Sequence, residues 1–115
     1  MEDKMIKNRE YRGEFSAWND VSESFGGGCP KTEPRYVFAE YQVSGYEGYS
    51  TVISSKDGKK FNVVEGSHCS CYGLENQWEP TDHTKKDLEK MMEATYGFFH
   101  DHRSELEKWI ERIAS

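Results

Sequence analysis

Two cysteines one residue apart, a histidine, an acid, two carboxamides and a tryptophan crowd the run Gly66-Ser67-His68-Cys69-Ser70-Cys71-Tyr72-Gly73-Leu74-Glu75-Asn76-Gln77-Trp78. Thiolates and imidazoles are zinc ligands, and a structural zinc takes four of them in a tetrahedron. In an extended chain Cys69 and Cys71 project to one side, and Cys29 and His83 would complete a set drawn from three segments. Against zinc, paired Cys-x-x-Cys knuckles are missing, and each thiol also reads as a small buried hydrophobe. The expectation is a chain without a cofactor, with zinc on Cys29, Cys69, Cys71 and His83 as the alternative.

A cysteine-dependent enzyme is a further alternative. Adjacent His68 and Cys69 point apart in extended chain, so a relay would need His83, His100 or His102 to fold back onto a thiol. No catalytic residue is assigned on that basis. Gly26-Gly27-Gly28-Cys29-Pro30-Lys31-Thr32 has lysine and threonine after glycines but departs from a phosphate loop. Pro30 stands where the glycine before the lysine belongs, and Pro34 opposes the helix that should follow. Recognition without bond-making fits the dense run better, with Tyr72, Glu75, Gln77, Trp78 and Glu79 as the contact residues. In the competing reading, Tyr72 and Trp78 fold inward to plug a small core.

The elements that would hold this run can be read from periodicity. Phe15, Trp18, Val21 and Phe25 share one face of a short N-terminal helix. The glycine run and two prolines then make a loop over 26–34. Residues 35–43, 49–55 and 60–65 read as three strands, joined by a Ser44-Gly45 turn and a Lys56-Asp57-Gly58 hairpin. A three-residue hairpin loop pairs Ile53 with Phe61 and Thr51 with Val63; a two-residue turn pairs Val52 with Val63. From Thr84-x-x-Asp87, a capping-box pattern, the spacing of Leu88, Met92, Thr95, Phe99, His102, Leu106, Trp109 and Ile113 is helical. One helix over 83–114 would be about 45 Å long, so Gly97 and Ser104-x-x-Glu107 favour two helices with a break in 97–103. The expected fold class is α+β: a three-stranded antiparallel meander covered by C-terminal helices, with the N-terminal helix on its flank.

At 115 residues the chain is one domain, 1–115, with the polar residues 1–10 frayed. Charged residues make up 31% and apolar ones 35%, while aromatics at 14% supply much of the core-forming area. The net charge of −6 argues against loose binding to nucleic acid or an anionic membrane. Residues 67–115 carry ten acids against six Lys/Arg, so a protein partner with a basic or nucleic-acid-binding surface is expected. The helical stripe would serve a homodimer as well as an intramolecular core. The charged start, the lack of a long apolar run and the odd cysteine count point to the cytoplasm.

The Gly66–Pro80 segment, with His-Cys-Ser-Cys-Tyr-Gly followed by Gln-Trp after an Asp-Gly hairpin, resembles small uncharacterised bacteriophage and bacterial proteins. The resemblance covers residues 49–80 and brings no catalytic residues with it. It implies a phage-type protein working in a bacterial host cytoplasm. Small acidic phage proteins often inhibit host or defence machinery. The expected function is therefore a non-enzymatic protein-binding module, an inhibitor of a host or antiviral-defence complex.

Overall fold

The computed structural model describes residues 8–70 and 72–113. Its centre is a five-stranded sheet in the order β1-β2-β3-β4-β5, with β1 Arg9–Gly13, β2 Tyr36–Ser44, β3 Glu47–Ser55, β4 Lys60–His68 and β5 Thr81–Thr84. β1 runs parallel to β2, and all other pairs are antiparallel. The expected meander is present as β2-β3-β4, but a three-stranded antiparallel sheet is incorrect: the sheet is five-stranded and mixed. Arg9 and Glu10, expected to be frayed, lie in β1.

Both added strands are at edges and lack an apolar alternation. β1 reaches β2 through α1, Trp18–Ser24, which supplies the crossover that parallel neighbours require. The Asn8 carbonyl accepts from Val37 N–H at 3.0 Å and from Trp109 Nε1 at 2.9 Å, fixing the start of β1. β5 pairs along the first half of β4, from Lys60↔Thr84 to Val63↔Thr81.

Strand alternation divides the side chains between two cores. Tyr36, Phe38, Ile53, Phe61 and Val63 face α2 Lys85–Met91, α3 Phe98–Asp101 and α4 Arg103–Ile113, packing with Leu88, Met92, Phe99, Leu106 and Trp109. Val37, Ala39, Val52 and Val64 face the other way, against Phe15, Trp18, Val21, Phe25 and Leu74. The N-terminal helix thus covers the opposite face of the sheet rather than its flank. Each fully buried large apolar side chain contributes roughly 1.5–3 kcal/mol, and among the described residues twelve large side chains are fully buried across the two layers.

The β3–β4 register matches neither expected hairpin, because Ile53 pairs with Val63 and Ser54 with Asn62. The connection spans 56–59 and is closed by side chains. Asp57 accepts from Lys59 and Lys60 N–H, and Ser55 Oγ accepts from Gly58 N–H while donating to Lys60 O at 2.6 Å. The Thr84–Asp87 capping box forms, with Asp87 Oδ2 accepting from Thr84 N–H at 2.9 Å. The C-terminal half breaks into three helices, with Gly97 at φ 89° starting α3. The molecule is 42 Å along its longest axis, shorter than the single helix the stripe alone would allow.

Candidate binding surface

The apolar face beneath the C-terminal helices ends in carboxylates. On β2 the series Tyr36, Phe38 continues to Glu40, and on β4 Phe61, Val63 continues to Glu65, all on one face by strand parity. Between them β3 presents Thr51 and then Tyr49. The helices stop short of this end, leaving a cleft of about 540 Å³ that α3 closes on one side with Phe98 and Asp101. Glu40, Glu65 and Asp101 give it three carboxylates, and among the described residues no Lys or Arg lines it.

Glu40 is only 9% exposed and is held from two sides. Its Oε2 lies 2.7 Å from His102 Nε2 and accepts from Gln42 Nε2 at 3.0 Å. His102 Nδ1 in turn lies 2.9 Å from Glu105, whose carboxyl is held below the usual range by that bond first and by the Arg12 charge second. Arg12 stacks on Phe38 at 4.9 Å from the ring centroid and pairs with Glu10 and Glu105. Phe98 meets Phe38 edge-on, with centroids 5.9 Å apart. Of the three cleft carboxylates, Glu40 is thus the one fixed by the fold, while Glu65 and Asp101 are exposed.

The exposed large side chains gather on the segments that meet at this end. Tyr46 (80% exposed) and Tyr49 (61%) belong to the β2–β3 hairpin, Tyr72 (59%) to the loop after β4, and Tyr96 (82%) to the α2–α3 connection beside Gly97. Tyrosine covers a partner with a large ring while losing little rotamer freedom, so such exposed rings suit recognition.

No protein-family model matches this chain, and no curated protein or solved structure matches it either.

The predicted contact residues divide into two sets. Tyr72, Glu75 and Glu79 are exposed. Gln77 turns back onto β4 and lines the cleft, while half-buried Trp78 stands edge-on to Trp18 and Phe25 with centroids 6.0 and 5.3 Å away. Leu74 is fully buried and pins the loop to the α1 layer. Tyr41 Oη and His68 Nε2 lie 2.5 Å apart, and His68 Nδ1 lies 3.0 Å from the Cys69 carbonyl oxygen. Burial raises the Tyr41 hydroxyl pKa most, and the nearby Glu14 and Glu75 carboxylates add to it.

The expected zinc ligands are not brought together among the described residues. Cys29 is buried with Phe15, Trp18 and Phe25, whereas Cys69 is exposed. His83 sits on edge strand β5 opposite Phe61, 2.7 Å from Thr81 Oγ1. Among the described residues no group of three or more His, Cys, Asp or Glu is placed to hold a metal ion; Cys71 lies outside them. No helix of the described residues is long and apolar enough to cross a membrane.

The cleft residues Glu40, Tyr49, Glu65, Phe98 and Asp101 were not among the predicted contacts. The parity of Phe38-to-Glu40 and Val63-to-Glu65 marks where both strands leave the core. That signal was available from the sequence.

Proposed function

We propose that this chain is a non-enzymatic protein-binding module whose acidic cleft, lined by Tyr49, receives a Lys/Arg-rich segment of a partner protein. The observation that carries this reading is the grouping of Glu40, Glu65 and Asp101 in one cleft with no Lys or Arg lining it among the described residues. Desolvated cationic side chains gain most where fixed carboxylates replace their water, and aromatic rings accept their faces. Tyr49 lines the cleft, and exposed Tyr96 precedes its lining residue Gly97. The net charge of −6 adds long-range steering toward a basic surface.

Together with the likeness of residues 66–80 to phage and bacterial proteins, this supports a phage-type inhibitor of a host or antiviral-defence complex in the bacterial cytoplasm. The basic partner surface would be one that normally meets nucleic acid.

Capture from bacterial lysate by the wild-type chain, Glu65→Gln/Asp101→Asn and Tyr49→Ala tests it. A stoichiometric basic partner, lost in the carboxylate variant and weakened at least tenfold by Tyr49→Ala, is expected. Equal capture by all three folded proteins removes the cleft from the interface.

A further inference from the structure

A second cavity has the opposite charge. It lies at the other end of β3 and on the α1 side of the sheet, between the Pro30–Arg35 segment and the β3–β4 hairpin, with a volume of about 420 Å³. Lys31, Arg35 and Lys56 line it together with one carboxylate, Glu33, and Ser54 and Asn62 lie on the strands beneath. Pro30 and Pro34 give it apolar wall.

The nearby carboxylates are already engaged. Glu33 accepts the Tyr11 hydroxyl and pairs with Arg9 at 3.3 Å. Asp57 accepts the Lys59 and Lys60 N–H groups, and Asp82 accepts from Asn62 Nδ2 at 2.6 Å. By contrast, Lys31, Arg35 and Lys56 make no ion pair among the described residues. Arg35 rests over the Tyr36 ring, its guanidinium carbon 5.1 Å from the centroid. In a chain carrying six net negative charges, three cations without ion pairs against one lining carboxylate, Glu33, already held by Tyr11 and Arg9, are a local reversal of sign.

The wall is also tied down at both ends. Trp18 Nε1 donates to the Pro30 carbonyl at 2.8 Å, and Arg9 Nε donates to the Pro34 carbonyl at 3.0 Å. The segment is therefore held open before any ligand arrives, which lowers the ordering cost of binding. The volume suits a small metabolite.

We propose that this cavity binds a small organic phosphate: the phosphate between Lys31, Arg35 and Lys56, the apolar body against Pro30 and Pro34. Lysine and arginine hold phosphate through charge-assisted hydrogen bonds, and the Ser54 hydroxyl is a further donor at the floor.

The test is an amide-resonance titration of the full chain with inorganic phosphate and with phenyl phosphate, against sodium chloride at matched ionic strength. Phosphate-dependent shifts confined to residues 30–36, 54–56 and 62 are expected. Phenyl phosphate should bind about tenfold tighter than inorganic phosphate because its ring covers apolar wall. Lys31→Glu/Arg35→Glu should weaken phenyl phosphate by at least tenfold. Exposed Lys56→Gln, which leaves the fold untouched, should weaken it by about threefold. Shifts matched by chloride, shifts spread over all surface lysines, or unchanged affinity in Lys56→Gln would each overturn the proposal.

Discussion

The Gln77 carboxamide pairs with the Ser67 backbone as a neighbouring strand would. Its Oε1 accepts from Ser67 N–H at 2.9 Å, and its Nε2 donates to Ser67 O at 2.8 Å. β5 leaves β4 after Val63, so this side chain closes the strand edge beyond it. A second bond from Nε2 to Gly73 O at 2.9 Å ties the same amide to the loop. Gln77→Ala should cost about 1–2 kcal/mol, given the net worth of exposed and half-buried hydrogen bonds. Gln77→Glu should cost about as much, because a carboxylate keeps the acceptor and loses both donated bonds. Urea denaturation measures the cost. Faster hydrogen exchange at Ser67, with the Ile53 and Val63 amides unchanged, identifies the lost staple.

Gly58 sits where the β3–β4 hairpin passes under the end of α4. Its φ is 77°, and an added Cβ would lie 2.4 Å from the Ile113 carbonyl oxygen. Gly58→Ala therefore combines left-handed backbone strain with a backbone clash, and should destabilise by roughly 2–4 kcal/mol. Thermal unfolding would show it as a clear drop in midpoint; a change within measurement error would show that the α4 terminus shifts freely.

The elements legible in the sequence are those whose own side chains carry the signal. Tyr36-Val37-Phe38, Thr51-Val52-Ile53 and Phe61, Val63 and Val64 are β-branched or aromatic, and they lie in strands in the structure. Gly97 marks the helix break because only a residue free of a Cβ takes its φ readily. Arg9-Glu10-Tyr11-Arg12-Gly13 offers no such pattern. It is a strand because Asn8, Val37 and Trp109 meet 29 and 101 residues apart in sequence, a long-range effect. Thr81-Asp82-His83-Thr84 is likewise defined by its neighbour β4. The hairpin register was missed because Ser55 and Asp57 side chains stretch the connection to four residues. The predicted contact loop was visible through its composition, but the cleft required α3 to fold over the strand ends.

Stability should fall at both extremes of pH. The Glu105 carboxyl is lowered first by its hydrogen bond to His102, Asp87 by Thr84 N–H, and Asp57 by Lys60 N–H. A carboxyl with a folded pKa below its unfolded value, about 4, stabilises the fold above that value. The benefit disappears as pH falls through the folded pKa. Tyr11 is raised above 10.0 by burial, then by its bond to Glu33 and by that carboxylate's charge. Its contribution is complete below pH 10 and declines as pH rises further, because the unfolded phenol ionises first. Glu105→Gln should flatten part of the acid limb and Tyr11→Phe part of the alkaline limb. Denaturation midpoints measured from pH 3 to 11 check both.

Trp109 joins the helical layer to β1 through one polar atom. It is fully buried between Phe38 and Phe61, with centroids 5.8 and 6.0 Å away, while Nε1 reaches the Asn8 carbonyl. Trp109→Ala should cost about 3–5 kcal/mol through cavity formation. Trp109→Phe keeps most of the ring contact and loses the donor, so about 1–3 kcal/mol is expected. In the phenylalanine variant, hydrogen exchange should quicken at Val37, whose N–H shares the Asn8 acceptor, and remain slow at Val52. Uniform acceleration across the sheet would mean that packing, and not the β1 tether, accounts for the loss.

Glu40 and His102 should show strong energetic coupling, because the Glu40 carboxylate is largely buried and the His102 imidazole lies 2.7 Å from it. Removing His102 leaves that carboxylate with Gln42 as its remaining donor, and removing Glu40 leaves Glu105 as the imidazole's carboxylate partner. A double-mutant cycle with Glu40→Gln and His102→Asn should give an interaction energy of about 1–3 kcal/mol. His102→Asn alone should destabilise more than Glu40→Gln, since a buried charge deprived of its partner costs more than a neutral amide in its place. The same variants separate stability from recognition. Glu40→Gln removes one cleft charge with the fold kept, so binding of an arginine-rich peptide should weaken by about tenfold. A near-zero coupling energy would show that the carboxylate draws its support from Gln42 and solvent, and would leave the cleft without its fixed charge.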